Sequence, residues 1–341
     1  MIGTNTDDVK IVGIYDMGGI GKLTLAKVVY NMITKDFAYC CSLDDVSETA
    51  NSKGILYLQN RLISALSRKA IPFANSVDDG IMMIEERFSL KKALILLDDV
   101  GEKSQLTALL GRRCHFGLGS RILITTRNAI VLHGFDVKTY QVCELDSNAS
   151  LQLFSKHAFR RDHPPPEKLE LSREILKIAQ GLPLAIEVMG STLSLYGKRK
   201  EIWDELLEKW KMGPIEEIQN KLMISYEALD LCEKQIFLDI ACLLIGCDKT
   251  NAIYMRREIH LHPIKGFKVL QMMSLIKIEK GNKFWMYDHL RNLGREIVSQ
   301  ESGGNLAQTS RLWNHEEALD VLQRSEVNTG SDYSNIIKGC F

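Results

Sequence analysis

A glycine-rich segment placed between two periodic apolar stretches constrains this chain more than any other feature. Residues Val9 to Tyr15 are largely apolar, and Gly18-Gly19-Ile20-Gly21-Lys22 follows them closely. The next residues, LTLAKVVYNMI, repeat apolar side chains at helical spacing. Strand, glycine loop and helix in this order predict a phosphate-binding loop, because glycine permits the dihedrals that turn N–H groups towards phosphate oxygens. Lys22 would then supply an ammonium for the terminal phosphates.

Two positions depart from the general pattern GxxxxGK[ST] of such loops. Asp16 stands where the first glycine belongs, and Leu23 stands where a Ser or Thr hydroxyl would hold magnesium. Thr24, one position later, lies on a different helix face, so it could touch a phosphate but replaces that hydroxyl poorly. A glycine-rich turn that binds no ligand remains an alternative.

Further apolar segments predict a parallel sheet. An apolar stretch at Ala38 to Val46 and the runs Ala93 to Leu97 and Arg121 to Thr126 alternate with segments of helical period. Continuous apolar strands separated by helices indicate a parallel sheet covered on both faces, which places the chain in the α/β class. Ligands of such sheets bind beyond the carboxyl ends of the strands.

Charged residues stand at two of those strand ends. Asp98 and Asp99 follow the third strand, and Arg127 follows the fourth. Asp98 is therefore a candidate magnesium ligand, and Asp99 is a candidate catalytic residue that orients or activates water. Arg127 could reach a terminal phosphate. Taken alone, the carboxylates could equally form a solvated turn, and Arg127 could be a surface residue.

The pattern changes after about residue 148. The segments Ala149 to Phe159, Lys168 to Gln180 and Leu184 to Leu195 predict a small helical domain. From Pro214 onward, helical segments are followed by a hairpin pattern around Gly281-Asn282, which indicates a winged-helix domain. Winged helices often bind DNA, but this one lacks a strong basic stripe, so nucleic acid is not an expected partner.

Six segments in order resemble one family, the NB-ARC module of plant disease-resistance proteins, in particular the class carrying a TIR domain. They are MGGIGK, LILLDDV, GSRILITTR, GLPLAI, CEKQIFLDIAC and MYDHLRNLGREIV. The resemblance implies a switch that holds ADP in a closed state and opens for oligomerisation when ATP replaces it. It also implies a P-loop sheet domain at 1–148, a helical domain at 149–213, a winged-helix domain at 214–300 and a linker or truncated tail at 301–341.

The resemblance also assigns site residues. Pro183 would pack against the adenine, and Asp288 would close the winged-helix domain onto the nucleotide. The expected nucleotide contacts are therefore Gly18, Gly19, Ile20, Gly21, Lys22, Leu23, Thr24, Arg127, Pro183 and Asp288. Tyr287 replaces the family's histidine, which predicts a weakened closed state. The chain lacks a TIR segment and shows no leucine-rich repeat period, so we expect a fragment or a truncated paralogue.

Composition limits the setting and the partners. The chain carries 43 basic and 43 acidic residues, so no net charge favours nucleic acid or an anionic membrane. Its eight cysteines form no CxxC, which suits a reduced cytoplasmic or nuclear compartment. No apolar run approaches the roughly 20 residues that span a bilayer.

The motifs and the resemblance together leave three hypotheses for the function of the chain. They are a hydrolysis-impaired ADP or ATP switch with weak Mg²⁺ coordination, a competent ATPase, and a non-nucleotide module that associates with full-length immune receptors.

Overall fold

The computed structural model describes residues 8–67, 72–111, 116–197, 199–212, 215–257, 262–301 and 309–313. The chain divides into two compact units, Met1–Cys143 and Glu144–Phe341, which we call unit 1 and unit 2. The helical and winged-helix regions both fall in unit 2, and the finer division at 148, 213 and 300 stays a prediction. Most of the predicted tail lies outside the described residues.

Unit 1 is built on five parallel strands. They are β1 (Lys10–Tyr15), β2 (Tyr39–Leu43), β3 (Ala93–Leu97), β4 (Arg121–Thr126) and β5 (Val137–Gln141), in the spatial order β2-β3-β4-β1-β5. Every neighbouring pair is parallel, which confirms the predicted sheet. The sequence VKTYQ of β5 was not predicted as a strand, because four of its five side chains are exposed at the sheet edge and break the apolar pattern.

Helices cover both faces of this sheet, as predicted. They are α1 (Lys22–Ile33), α2 (Val46–Lys53), α3 (Ile55–Ala65), α4 (Val77–Phe88) and α5 (Lys103–Leu110), with 3₁₀ turns at Thr34–Asp36 and Ala129–Leu132. Helix α1 packs on one face, where Ala26 contacts a small cluster of β1, β3 and β4 side chains. Helices α3, α4 and α5 contribute to the larger cluster on the other face, which includes Leu58, Phe88 and Leu109.

One glycine fixes how closely β1 packs on its neighbours. A Cβ atom at Gly13, in the middle of β1, would lie 2.4 Å from Leu132 Cδ1. Any larger residue therefore requires Leu132 to move. This close packing positions the carboxyl end of β1, from which the glycine-rich loop departs.

Within its described residues, unit 2 contains helices and one hairpin. The helices are α6 (Ser147–Phe159), α7 (Leu169–Ala179), α8 (Pro183–Leu195), α9 (Lys200–Met212), α10 (Glu216–Glu227), α11 (Leu231–Asp239), α12 (Lys249–Arg257), α13 (Pro263–Met272) and α14 (Asp288–Glu301). A 3₁₀ turn, Pro166–Lys168, precedes α7, and a π-helical segment, Ile240–Leu244, follows α11. Strands β6 (Lys277–Glu279) and β7 (Lys283–Trp285) pair antiparallel.

The hairpin confirms the predicted wing. Gly281 and Asn282 have φ values of 83° and 61°, the left-handed conformation that glycine and asparagine adopt most readily. Elsewhere in unit 2, Trp203 is buried and stacks on Phe159 with ring centroids 5.5 Å apart. This tryptophan therefore anchors the packing of the helical region, as expected for a large aromatic side chain.

Candidate functional site

The glycine-rich loop leaves β1 at Tyr15 and ends where α1 begins at Lys22. Gly19 and Gly21 have φ values of 82° and 92°, so this backbone path suits glycine and strains most other residues. Gly21 is the N-cap of α1, and no side chain caps this helix terminus. The first N–H groups of a helix have no partner within the helix, so those of α1 suit an anionic ligand.

Lys22 lies buried at the start of α1. Its Nζ atom donates hydrogen bonds to the carbonyl oxygens of Asp16 and Met17, each at 2.8 Å. Burial and the Arg127 guanidinium lower the pKa of Lys22 to about 8, although nearby carboxylates, that of Asp99 foremost, oppose the shift. An incoming phosphate would add negative charge beside this ammonium and favour its charged form.

The loop is more enclosed than a solvent-facing turn. Met17 is fully buried, Ile20 is 2% exposed, and Gly18 is also buried. Gly19 and Gly21 are half-buried. The accessible part of the loop is therefore at these last two glycines, next to the uncapped end of α1.

The two aspartates after β3 have different surroundings. Asp98 is buried and accepts a hydrogen bond from the Thr125 hydroxyl, while burial raises its pKa. Asp99, at φ 51°, accepts two hydrogen bonds from Arg127: Nε to Oδ1 at 3.0 Å and Nη2 to Oδ2 at 3.1 Å. The predicted catalytic carboxylate and the predicted phosphate contact thus form a bidentate ion pair with each other.

The strand ends bring Lys22, Asp98, Asp99 and Arg127 together, since the charges of the other three act on the Lys22 ammonium. Leu23, on the first turn of α1, carries no oxygen for a metal, and Thr24 is exposed. The described residues hold no group of three or more His, Cys, Asp or Glu side chains that could bind a metal alone. Mg²⁺ fits this site only with most of its ligands supplied by nucleotide phosphates and water.

The two site residues expected in the second half of the chain lie in unit 2. Pro183 is the first residue of α8 and half-buried, where its fixed φ suits a helix start. Asp288 begins α14, and its Oδ2 accepts a hydrogen bond from Gln180 Nε2 at 2.7 Å. The Asp288 N–H donates to Gln180 Oε1 at 2.9 Å, and the carboxylate also contacts Arg291 at 2.5 Å. Asp288 therefore links α14 to the end of α7.

Tyr287 is buried within a polar cluster of unit 2. Its hydroxyl donates to Glu144, and Lys277 Nζ donates to Glu144 and, at 2.7 Å, to the Tyr287 oxygen. Burial raises the pKa of Glu144, but the hydrogen bonds from Lys277 and Tyr287 outweigh it, so this pKa lies below its usual value. Trp285 packs edge-on against Tyr287 at 4.6 Å between ring centroids.

Two protein-family models match this chain, over the regions that contain the glycine-rich loop, the strand ends and the hairpin. An NB-ARC domain model matches residues 4–163, and the model "Disease resistance protein Roq1-like, winged-helix domain" matches residues 230–302. Residues 4–163 of this chain belong to the NB-ARC family. The resemblance noted from the six sequence motifs is thereby confirmed.

Individual relatives support the same assignment. The chain is 37% identical over 310 residues to Disease resistance protein RUN1 of Vitis rotundifolia, covering 90% of the chain and 23% of that protein. It is 36% identical over 331 residues to TMV resistance protein N of Nicotiana glutinosa, covering 95% of the chain and 28% of that protein. The NB-ARC chain thus spans about a quarter of the length of these curated relatives.

A solved structure shares the fold. A Walker-type ATPase of Pyrococcus abyssi superimposes with a TM-score of 0.51 at 14% sequence identity, covering 85% of this chain and 91% of that one. At this identity the likeness supports the P-loop architecture of the NB-ARC chain and nothing further. In the part of the chain that the structure describes, no helix combines the length and apolar character that crossing a membrane requires.

Two residues that position the NB-ARC site were not predicted. Gln141, at the carboxyl end of β5, donates through Nε2 to Asp16 Oδ2 at 2.9 Å. Thr125 contacts Asp98 and also accepts from the Asp99 N–H at 2.9 Å. A signal for Thr125 existed, because a hydroxyl at the end of an otherwise apolar strand faces the ligand edge of the sheet. Gln141 gave none, since β5 itself was not recognised.

A cavity of about 680 Å³ lies elsewhere in unit 1, along β2 and α3. Its lining includes Cys40, Cys41, Tyr57, Asn60 and Arg61. Burial raises the pKa of the Cys41 thiol to about 12, so this group stays protonated and a poor nucleophile. The glycine loop follows β1, which β3 and β4 separate from the edge strand β2 beside this cavity.

Proposed function

We propose that this chain is the nucleotide-binding switch module of a plant intracellular immune receptor, that it holds ADP or ATP, and that it hydrolyses ATP poorly. The observation that carries the proposal is the placement of Lys22. Its buried ammonium lies at the uncapped N-terminus of α1, 2.8 Å from two loop carbonyls and among the charges at the ends of β3 and β4. A diphosphate there would gain helix N–H donors and one ammonium.

The proposed contacts follow the chain from the loop to the strand ends. Backbone N–H groups of residues 18–24 would bind phosphate oxygens, and Lys22 would engage the terminal phosphate. Arg127 would reach that phosphate by leaving its ion pair with Asp99. For Pro183 and Asp288 the proposal rests on the family resemblance, and Asp288 already bonds Gln180.

Poor hydrolysis is proposed from what surrounds the two carboxylates. A bound magnesium ion would supply charge neutralisation at the phosphates, and Asp98 is the carboxylate that would face it. Leu23 cannot contribute a ligand, because its side chain carries no oxygen. Asp99 could accept the proton of an attacking water only after Arg127 has left their ion pair, which adds a step before hydrolysis.

Calorimetric titration of the purified chain with ADP tests nucleotide binding. We expect the unaltered protein to bind and Lys22→Ala to lose roughly a hundredfold in affinity, about 3 kcal/mol for one charge-assisted contact. Lys27→Ala is the matched control, since Lys27 is an exposed lysine on the same helix. Equal binding by all three proteins, or by none, ends the proposal.

Measurement of phosphate release tests the proposed poor hydrolysis. We expect magnesium-dependent phosphate release near background for the unaltered chain, and an increase in Leu23→Thr, which restores the missing hydroxyl. Leu25→Thr places the same hydroxyl two residues further along α1 and should not increase turnover. Rapid turnover by the unaltered chain would instead identify a competent ATPase.

A second candidate is a module that binds no nucleotide and associates with full-length immune receptors as a homo- or hetero-oligomer. The enclosure of the loop favours it, because Asp16 and Met17 are fully buried. Mass spectrometry of the solution left after denaturing the purified protein decides between the two. Release of ADP or ATP in near-stoichiometric amount rules out this second candidate. Under either proposal the chain acts in the cytoplasm or the nucleus.

A further inference from the structure

Asp16 is the one charged residue within the loop that precedes Lys22. It occupies the position of the first glycine in the general phosphate-loop pattern, and its side chain is fully buried. Its Oδ1 accepts a hydrogen bond from the Met17 N–H at 2.6 Å, and its Oδ2 accepts one from Gln141 Nε2 at 2.9 Å. Hydrogen bonds to a carboxylate favour its ionised form, so these donors support a buried negative charge.

This charge lies next to the group that would bind the outermost phosphate. Lys22 Nζ is 2.8 Å from the Asp16 carbonyl, and the Asp16 carboxylate is one of the charges that act on this ammonium. A terminal phosphate in contact with Lys22 would therefore lie beside the Asp16 backbone, and the Asp16 carboxylate would act on it as it acts on the ammonium. Buried charges at such range are screened little by salt, and like charges repel.

The Met17 N–H is also affected. It already donates to the carboxylate at 2.6 Å, so one loop donor at the carboxyl end of β1 is not available to a phosphate. With glycine at position 16 this donor would be released. The carboxylate thus opposes an additional phosphate group in two ways, by its charge and by occupying a donor.

We propose that Asp16 makes this loop select a nucleoside diphosphate over the corresponding triphosphate. A triphosphate carries one further negative group at the end that Lys22 engages, and this group meets the Asp16 carboxylate. The diphosphate brings less negative charge beside this carboxylate and keeps the helix N–H donors of α1. The inference rests on the proposed nucleotide binding and assigns the choice between its two ligands to one side chain.

The test compares the affinities of ADP and ATP, measured calorimetrically with EDTA so that no metal shields the phosphates. We expect the unaltered chain to bind ADP more tightly. Asp16→Asn removes the charge, and Asp16→Gly removes the charge and releases the Met17 N–H. Both should lower the ratio of ADP to ATP affinity by roughly tenfold, chiefly by strengthening ATP binding, with Asp16→Gly having the larger effect.

Asp36→Asn serves as the charge-matched control. Asp36 is exposed and follows the far end of α1, roughly 18 Å from the loop at 1.5 Å per helical residue. This variant should leave the ratio unchanged. If the unaltered chain binds neither nucleotide, the proposed function fails. If it binds both equally, or if neither Asp16 variant changes the ratio relative to Asp36→Asn, nucleotide binding stands and the selectivity by Asp16 is disproved. If an Asp16 variant does not fold, equal affinities of the unaltered chain for ADP and ATP would still disprove the proposed selectivity.

Discussion

In unit 1 the buried charges of Asp16, Lys22 and Asp98 lie at the carboxyl ends of parallel strands, whereas in unit 2 several polar pairs join elements far apart in the sequence. Asp98 is held by Thr125 of the adjacent strand, and Lys22 by carbonyls of its own loop. In unit 2, Asp239 at the end of α11 pairs with Arg311, and Asp288 at the start of α14 pairs with Gln180. The first arrangement concentrates charge at one ligand edge, and the second fastens helices together.

The difference shows what each set of polar groups can do. In unit 1 the pairing of the strands fixes the backbone positions from which the charged side chains extend. These positions do not depend on contacts between the side chains, so the charged groups are available to bind a ligand. The Asp239–Arg311 pair of unit 2 is buried on both sides, so loss of either partner leaves a buried charge with fewer compensating contacts. We therefore expect substitutions in unit 2 to change stability, and substitutions in the loop of unit 1 to change affinity.

Arg311→Leu should have the largest effect on stability, because Arg311 belongs to the buried ion pair of unit 2. Arg311 is 8% exposed, and its Nε lies 2.7 Å from Asp239 Oδ1, in a side-chain pair that is almost fully buried. Removing the guanidinium takes a cationic partner away from the buried Asp239 carboxylate, at a cost of about 3 kcal/mol. Urea denaturation of the two proteins measures this cost.

Two further variants complete that experiment. Asp239→Asn combined with Arg311→Leu removes the remaining buried charge and should recover much of the loss. Lys156→Ala breaks an exposed pair with Asp162, whose side chains are 57% and 66% exposed, and should cause no measurable change. A loss for Arg311→Leu no greater than that for Lys156→Ala would show that the buried pair does not fasten unit 2.

A pH series tests the ligand-binding side of the comparison. The pKa of Lys22 is lowered to about 8, so the ammonium is present below that pH and lost above it. ADP affinity should fall about fivefold between roughly pH 8 and pH 9, because the charged fraction falls from about one half to about one tenth, which is about 1 kcal/mol. This window lies above the titration of the phosphate itself, near pH 6. Lys22→Met should show no such decline, and a parallel decline in this variant contradicts the assignment.

The same group should act on stability with the opposite sign. The pKa of Lys22 in the unfolded chain is 10.5, above its value in the folded protein. Between about pH 8 and pH 10.5 the unfolded state therefore binds more protons, so the contribution of Lys22 makes the ligand-free protein more stable as pH rises. Urea denaturation and calorimetry over this pH range measure the two effects. We expect stability to rise while ADP affinity falls, because the same Lys22 ammonium weakens folding and strengthens binding.

The sequence predicted unit 1 in more detail than unit 2, for a physical reason. Continuous apolar strands imply a parallel sheet, and the ends of such strands converge, so Asp98, Asp99 and Arg127 could be placed together from their positions alone. The partners of Asp16 could not, because Gln141 lies on the solvated edge strand β5, whose side chains lack an apolar pattern. The bidentate Asp99 to Arg127 pair was also missed, since it depends on side-chain orientation.

In unit 2 the helices and the hairpin followed from periodicity and from Gly281-Asn282, but the polar contacts did not. Gln180 and Asp288 are 108 residues apart, and no spacing rule connects them. Glu144 and Tyr287 are separated by 143 residues. Such pairs form only when packing brings distant helices together. Sequence patterns therefore predict which elements form in this unit more readily than which side chains join them.

Tyr287→Phe should have the smallest effect on stability. It tests whether the polar groups of unit 2 act on folding and not on ligand binding. It removes only the hydroxyl that contacts Glu144 and Lys277, and the Lys277 to Glu144 ion pair remains. If the polar cluster fastens unit 2, stability should fall by about 1 kcal/mol, the net value of a typical hydrogen bond. Trp285 packs against this ring, so its fluorescence can follow unfolding locally. Tyr196→Phe, at a side chain that is 42% exposed, is the matched control and should be neutral. Unchanged stability in Tyr287→Phe together with altered ADP affinity would place this cluster with the ligand-binding groups, and the division of roles between the two units would fail.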